Sequence, residues 1–401
     1  MNILFHHRTR GRGAEGVHIR GVVKGLRELG HKVSILSLPG ADPEEELPTT
    51  PGPKEASAQS SSAAKPPVKK GLFSRLTELT KYTPEFVFEL FELAFNLLAW
   101  WRLRKTVKQQ NIELIYERYS LFMFASVWWA KRHNIPIVLE INDSCLVHRV
   151  RELFFQRFAR SVERWIFSNA TGLVFISSRF QQVAQDAYPD IAPSVISPNA
   201  ADLDQFVIDK PAAQQLREKL KVEDKVVVGY VGAFVHWHGI DWFVDLIAER
   251  LKDYPNIVLL LVGDGACYDS IKQRIASAGA ESQIIMPGRV AHDQVPTYLS
   301  AMDFGILPDS NDYGSPMKLF EFMAMGKGMV APDFTPIDEV VADGETSWLF
   351  KANDREACVE KVLALSAQPD QQQLVGEQAR AYIERERQWR HNAEQLLTLV
   401  K

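Results

Sequence analysis

The sequence predicts an α/β protein built as two domains, each a doubly wound parallel sheet. Three observations predict it. Strand-like and helix-like stretches alternate along most of the chain, the alternation restarts after a Pro/Asn/Asp-rich connection at 197–206 (SPNAADLDQF), and 401 residues exceed what one hydrophobic core usually supports. The composition, 46% apolar and 24% charged with a formal net charge of -4, is that of a globular chain without a general nucleic-acid surface. Cys145, Cys267 and Cys358 lie far apart with no CxxC spacing, so neither a disulfide framework nor a zinc site is expected and a reducing compartment fits.

The first domain is expected over residues 1–200. It opens MNILFHHRTRGRG, a short strand and a basic glycine-rich loop, with no apolar stretch long enough for a signal peptide. A helix from Val17 to Leu29 and the strand HKVSILSL follow. From Pro39 to Lys70 the chain turns to Pro, Ala, Ser, Glu and Lys, which cannot bury enough surface to offset chain entropy, and a mobile loop is expected there. Within 72–108, Phe86, Leu90, Phe91, Ala94, Leu97, Leu98 and Trp101 recur at helical spacing, with Arg102, Arg104, Lys105 and Lys108 close behind. Glu89 and Glu92 interrupt the apolar run, which is shorter than the roughly 20 residues a membrane-spanning helix needs. Such a helix either lies on an anionic bilayer or packs against the first domain. The stretch HRVRELFFQRFARSVERW (148–165) is open to the same two readings. The strand IELIYERY, a helix from Phe122 to Arg132 and the strand PIVLEIN complete the first alternation.

The second domain is expected over 206–370, with VVVGYVGAF, IVLLLVGDG, QIIMPG, FGILP and GMVAP as strands and helices at Asp241–Tyr254 and Tyr268–Ala278. Near-continuous apolar runs such as VVVGYVG suit central strands covered on both faces. Residues 371–401 read as a polar-rich helix or helix pair packing across the domains.

The densest signal is GSPMKLFEFMAMGKGMVAPD, Gly314 to Asp333. Ser315 reads as an N-cap, Pro316 as the first helical residue and Gly326 as the stop, giving a helix from about Pro316 to Met325. Free N–H groups at its start, the helix dipole and the Lys318 cation suit a diphosphate. Glu321 lies among Leu319, Phe320, Phe322 and Met323, where a carboxylate needs a partner, and two ribose hydroxyls would serve. Taken alone, the block also fits an ordinary capped helix with Glu321 and Lys318 in solvent. The glycines of GYVGAF, LLLVGDG and IMPGRV favour the ligand reading, because each ends a strand on the side where open α/β sheets bind ligands.

The order VGAF..HGID, LVGDG, PGRV, SPMKLFEFMAMGK and PIDEVVADGETSWLF, with GAEGVHIRGVVKGLRELGHKV in the first half, resembles the retaining family-4 glycosyltransferases of GT-B fold, over nearly all the chain outside about 39–103. The resemblance implies two Rossmann-like domains facing across a cleft, with a nucleoside-diphosphate sugar held by the second and a glycan or lipid-linked acceptor by the first. It places Gly263, Asp264 and Gly265 beside the nucleotide and the backbone of Gly288, Arg289 and Val290 at the base. It puts Glu321 on the ribose and the N–H groups of Met317 and Lys318 at the diphosphate, with Gly232 and Ser315 also among the donor-binding residues. Gly13 to Gly16 would approach the phosphates from the first domain.

Three positions depart from that pattern. Tyr313 stands where the family often has a second Glu, Ala233 and His238 where it often has Arg and Lys, and Asn142 where a His commonly follows the strand. Lys318 is then the leading phosphate cation, with His238, Arg289 and the Arg8, Arg10, Arg12 cluster behind it. Asn142 and Asp143 are candidates to hydrogen-bond the sugar, or a simple turn. Glu117 and Arg118 read as either an ion pair or an acceptor contact. Helix N–H groups and a Lys can stabilise a leaving diphosphate, so no metal and no cofactor are expected. The chain reads as a metal-independent, retaining glycosyltransferase of surface polysaccharide or glycolipid synthesis, cytoplasmic and peripheral on the inner membrane face. The alternative is a catalytically silent homologue that binds a nucleotide sugar or a partner enzyme.

Overall fold

The computed structural model describes residues 1–9, 11, 13–37, 42–44, 85–147 and 152–400. The loop expected at 39–70 therefore lies almost wholly outside the described residues, as do Arg10 and Arg12.

Two six-stranded parallel sheets are present. The first takes β1 (Asn2–His7), α1 (Ala14–Glu28), β2 (Lys32–Ser37), α2 (Glu85–Gln110), β3 (Leu114–Arg118), α3 (Ala125–Arg132), β4 (Ile137–Ile141), α4 (Gln156–Asn169), β5 (Gly172–Phe175), α5 (Ser178–Ala187) and β6 (Ser194–Ile196), in strand order β2-β1-β3-β4-β5-β6. After α6 (Lys210–Leu220), the second takes β7 (Val226–Val231), α7 (Ile240–Arg250), β8 (Ile257–Val262), α8 (Tyr268–Ala278), β9 (Ile284–Gly288), α9 (Val295–Ser300), β10 (Phe304–Ile306), α10 (Met317–Ala324), β11 (Met329–Pro332), α11 (Thr335–Asp338) and β12 (Trp348–Phe350). Its order is β12-β11-β10-β7-β8-β9. The helices α12 (Arg355–Leu365), α13 (Pro369–Glu386) and α14 (Trp389–Leu397) close the chain.

The apolar runs in the strands are explained by burial on both faces. In the first sheet, Leu4, Ile115, Leu139 and Leu173 join one core cluster, whereas Ile3, Phe5, Leu114, Tyr116 and Val138 join another. The second sheet divides Val228, Tyr230 and Leu259 from Val227, Val258 and Leu260 in the same way. Side chains alternate faces along a strand, so a strand covered by helices on both sides must be apolar throughout. The short strands β5, β6 and β12 were not marked by the sequence pattern.

In each sheet the strand order reverses once, between β1 and β3 and between β7 and β10. Open α/β sheets bind ligands at such points, beyond the carboxyl ends of the strands. The loop from β10 leads into α10, which places the Ser315–Ala324 segment at the reversal of the second sheet.

The last helices tie the two halves together. α13 packs on α10, while α14 returns to lie on α1. Gly21 and Gly25 make that approach possible: a Cβ on Gly21 would collide with the Trp389 indole, and one on Gly25 with the Trp389 carbonyl. Gly25→Ala is therefore expected to destabilise the protein by about 1–3 kcal/mol, since α14 must lift to accommodate the methyl group. Urea unfolding of the variant, with an unchanged slope and a lower midpoint, is the check.

Candidate functional site

The N-terminus of α10 is the centre of the site, and it begins one residue later than the sequence predicts. Pro316 is the cap residue with extended backbone, and no side chain caps the helix. Ser315 is thus not the N-cap. Its hydroxyl accepts from the Asn199 backbone N–H (2.9 Å) and its carbonyl accepts from Asn199 Nδ2 (2.6 Å), which fastens the start of α10 to the interdomain connection. The Leu319 N–H donates to the Pro316 carbonyl (3.1 Å), and with Ser315 engaged there the N–H groups of Met317 and Lys318 are left to a ligand or solvent.

Lys318 turns toward the end of β7. A Cβ on Gly232 would meet Lys318 Cε at 3.0 Å, so glycine is what lets the side chain pass. The ammonium stands 3.2 Å from His238 Nε2 and 5.3 Å from the Tyr230 ring centroid. Burial in this corner pushes Lys318 down to about 7, against the opposing pull of Glu321. His238 is itself held at about 4, first by burial and then by the Lys318 charge. At neutral pH its ring is uncharged. The geometry fits an Nδ1–H donating to the Ala233 carbonyl (2.9 Å), which leaves Nε2 to accept from Lys318. In this arrangement His238 is an acceptor that aims Lys318. Tyr230 donates to the same carbonyl at 2.7 Å and completes the corner.

Glu321, one turn further along α10, faces another way. With Met317 it lines a crevice of about 590 Å³ walled by α1, Ala200–Asp202, Phe206 and Trp389. Burial pushes its carboxyl up to about 7, and Lys318 only partly offsets this. Arg20 and Lys24 enter the crevice from α1, and sequence reasoning missed both. Their spacing of four on one helix face was the available signal. Lys24 is already paired with Asp202 (2.5 Å) and Asp204 (2.6 Å).

Three glycine turns abut one another behind Lys318. The Gly232 N–H donates to the Val262 carbonyl and the Gly263 N–H to the Gly288 carbonyl, each at 3.0 Å, while a Cβ on Gly263 would strike the Gly232 carbonyl. A Cβ on Gly265 would meet the backbone of Phe234, and Asp264 bonds the Gly265 N–H within its own turn. Arg289 is exposed, and Val290 packs against the second core. In the first domain, the Gly13 carbonyl receives the N–H groups of Gly16 (3.1 Å) and Val17 (3.2 Å), and Gly16 faces the Gly11 carbonyl too closely for any Cβ.

Across the cleft, the first sheet contributes a polar cluster around Glu140 that the sequence did not reveal. Its carboxylate accepts from Tyr116 Oη (2.8 Å), His18 Nε2 (2.8 Å), Arg118 Nη1 (2.7 Å) and Asn142 Nδ2. Burial works to raise it, but His18 and Arg118 outweigh burial and hold the group at about 2. His18 Nδ1 in turn donates to Asn199 Oδ1 (2.7 Å). One hydrogen-bonded chain thus runs from Asn142 through Glu140, His18 and Asn199 to Ser315 at the start of α10. Asp143 bonds the Ser144 N–H at 2.9 Å. Glu117 and Arg118 do not pair with each other: Glu117 takes His6 (2.5 Å) and Ser126 (2.7 Å).

Glu140→Ala would leave the His18 and Arg118 donors buried against nothing, and a loss of about 3–5 kcal/mol is expected. In the wild type the folded value of Glu140 lies below its ordinary one. Its stabilisation is present above about pH 4.5 and disappears as the pH falls toward about 2. Thermal melts in that window should therefore lose slope in the variant.

Two further expectations change. Tyr313 packs edge-on against Phe180 of α5 (5.2 Å), and its carbonyl accepts from Ser177 Oγ (2.6 Å), so this position joins the domains. Arg8 points to α2, 4.0 Å from Glu92 and 4.8 Å from the Phe95 ring centroid. For metals, His236, Asp241 and Cys267 bring one donor atom each within 4.8 Å of one another. His236 already bonds Asp241 at 2.9 Å, and burial pushes the Cys267 thiol up, which keeps it protonated and a poor ligand.

Comparison with known proteins gives a consistent picture. The model for "Glycosyltransferase Family 4" matches residues 15–205 and that for "Glycosyl transferases group 1" matches residues 212–382. The alpha-D-kanosaminyltransferase of Streptomyces kanamyceticus is 21% identical over 57% of this chain and 62% of its own length, so less than two thirds of that relative is spanned. An uncharacterized glycosyltransferase of Methanocaldococcus jannaschii is 22% identical over 75% of this chain and 78% of its own. Among solved structures, Anabaena HepE in complex with UDP superimposes with a TM-score of 0.73 at 17% identity, covering 100% of this chain and 99% of that one. Sucrose-phosphate synthase from Thermosynechococcus elongatus gives 0.68 at 18% identity, over 100% and 98%. These two likenesses establish the two-domain GT-B fold.

Proposed function

The chain belongs to the group 1, family 4 glycosyltransferases, and from that premise we propose that it moves a sugar from a nucleoside-diphosphate sugar to a hydroxyl of a glycan or lipid-linked acceptor with retention at the anomeric carbon. The observation that carries this reading is α10, whose uncapped start and Lys318 face the β7 turn while Glu321 opens into the interdomain crevice. The diphosphate meets the N–H groups of Met317 and Lys318 and the Lys318 ammonium. The ribose hydroxyls donate to Glu321, and the base lies toward the backbone of Gly288 to Val290. Gly13 and Gly16 close on the phosphates from the first domain.

In the proposed reaction the bond between the anomeric carbon and the diphosphate oxygen breaks as the acceptor oxygen bonds the same face. The departing oxygen takes the acceptor proton. Lys318 and the helix N–H groups stabilise the charge that develops on that oxygen, and the fold contributes chiefly positioning. Asn142, held by Glu140, lies on the first-domain side as a sugar contact, with Asp143 beside it. No metal or cofactor enters this scheme. A role in surface polysaccharide or glycolipid synthesis, on the inner face of the cytoplasmic membrane, accords with it.

A second reading, a homologue that binds donor without turnover, is favoured by Tyr313 and Ala233, which supply no charge where the family often places it. One experiment separates the two. Thermal shifts with UDP, GDP, ADP and dTDP and their sugar conjugates identify the donor, with UDP tried first because HepE is seen with UDP. Release of free sugar from the stabilising donor supports the enzyme, and binding without release in the presence of acceptors supports the silent homologue. No stabilisation by any of them favours a silent homologue that binds a partner enzyme instead.

A further inference from the structure

The helix α2 carries two apolar stripes, and the described chain covers one of them. Leu93, Asn96, Ala99, Leu103 and Val107 turn inward, and Leu103 and Val107 belong to the first-domain core. On the other side Phe86, Leu90, Leu97 and Trp101 form a second stripe at spacings of four and seven, with Leu97 75% and Trp101 56% exposed. The packing alternative read from the sequence therefore holds for half of this helix. Among the described residues it leaves an apolar surface that packing does not explain.

The second stripe is continuous with aromatics from elsewhere in the chain. Phe154, 64% exposed, meets the Phe86 ring at 5.8 Å. The buried Glu89 carboxylate fixes that junction by accepting the N–H groups of Phe154 (2.5 Å) and Phe155 (3.0 Å). Phe158 stacks on Phe122 at 5.8 Å, and Trp128 of α3, the helix that packs against both α2 and α4, is also exposed. Sequence segments separated by some fifty residues thus form one apolar face.

Among the described side chains, charge around this face is predominantly positive. Arg102, Arg104, Lys105 and Lys108 are exposed on α2, as are Arg157 and Arg160 on α4. Of the acids on these helices whose side chains are described, Glu89 and Glu163 are buried and Glu92 approaches Arg8. Among the described residues Glu152, just before α4, is the one exposed acid at the edge, and Arg164 is matched by Asp190. A chain of net charge -4 has therefore gathered local positive charge around exposed aromatics.

We propose that this face, formed by α2, α3 and the start of α4, docks on an anionic lipid bilayer. Aromatic and leucine side chains enter the headgroup boundary while the flanking Arg and Lys meet lipid phosphates. No helix of the described chain is long and apolar enough to cross a membrane. The face also adjoins the cleft. Arg8, at the end of β1, contacts α2 through Glu92 and Phe95, and Phe154 and Phe155 lie in the connection that leaves β4 beyond Asn142. An acceptor anchored in the bilayer would enter beside them. That last point rests on the function proposed above, whereas docking itself does not.

The test is co-sedimentation of the full chain with vesicles of phosphatidylglycerol and phosphatidylcholine, and with phosphatidylcholine alone. Leu97→Glu, Trp101→Glu and Phe154→Glu are compared, all exposed positions at which folding should survive. Binding to the anionic vesicles, weakened by salt and reduced at least about 10-fold by each substitution, is expected. Equal sedimentation of the variants, or none with any vesicle, overturns the proposal. So does a dimer in analytical ultracentrifugation that Trp101→Glu dissolves, since that assigns the face to a second copy. Glu321→Ala should sediment like wild type, so a failed donor site and a failed docking surface are told apart.

Discussion

Glu321→Ala is expected to weaken donor binding by on the order of 100-fold while leaving the fold intact. The carboxylate is proposed to accept two ribose hydroxyls, and hydrogen bonds to a charged group are worth about 1.5–3 kcal/mol each. In the free protein the same carboxyl is raised to about 7 by burial. Its contribution to folding is thus complete below its ordinary value of 4.5 and is lost as the pH rises through about 7. Removing it should not destabilise the free protein at neutral pH, and a small gain in melting temperature is expected. Isothermal titration with the stabilising nucleotide is the decisive measurement. Unchanged affinity in Glu321→Ala would withdraw the ribose assignment.

The pH dependence of binding follows from the same pair. The ribose needs the charged form of Glu321, which is depleted below about pH 7, and the diphosphate needs the charged form of Lys318, depleted above about pH 7. Donor affinity should therefore pass through a maximum near neutrality. Glu321→Gln should flatten the acid limb and move the alkaline one to lower pH, because the Glu321 charge helps to keep Lys318 protonated.

Lys318→Ala should lower kcat by about 100- to 1000-fold, the usual effect of deleting one donor aimed at developing charge. The larger part of the loss is expected in kcat, because the charge on the leaving oxygen grows toward the transition state. The stability sign is opposite to that of Glu321. A lysine lowered to about 7 contributes stability above its ordinary value of 10.5, lost as the pH falls through about 7. Lys318→Ala should accordingly abolish a rise in melting temperature between pH 7 and 10.5. If the variant turns over like wild type, the charge is stabilised elsewhere and Arg289 becomes the next candidate.

The fold class and the centre of the site were legible in the sequence for a local reason. Period-two burial on both sheet faces forces continuous apolar strands, and such strands alternating with helices leave little choice but parallel sheets. Gly232, Gly263 and Gly288 were legible because a backbone turning at positive φ beside another chain tolerates no side chain, and each has φ above +80°. The Ser315–Glu321 block was legible because helix starts have their own chemistry. Its first residue was misjudged, since Ser315 is a good cap in isolation and only the approach of Asn199, 116 residues away in sequence, draws its hydroxyl elsewhere.

What the tertiary structure alone decided are the relations between distant segments. The uncharged state of His238 depends on burial beside Lys318, and the chain from Asn142 to Ser315 joins side chains from four separate stretches. Tyr313 became a contact between domains only when α5 came to lie against it. The same holds for α2: helical periodicity gave its apolar positions, but which stripe the core would cover depended on β1, β3 and α3. Sequence carries short-range chemistry, while burial and charge neighbourhood are properties of the packed whole, and the ionisation of Lys318, Glu321 and Glu140 follows from those.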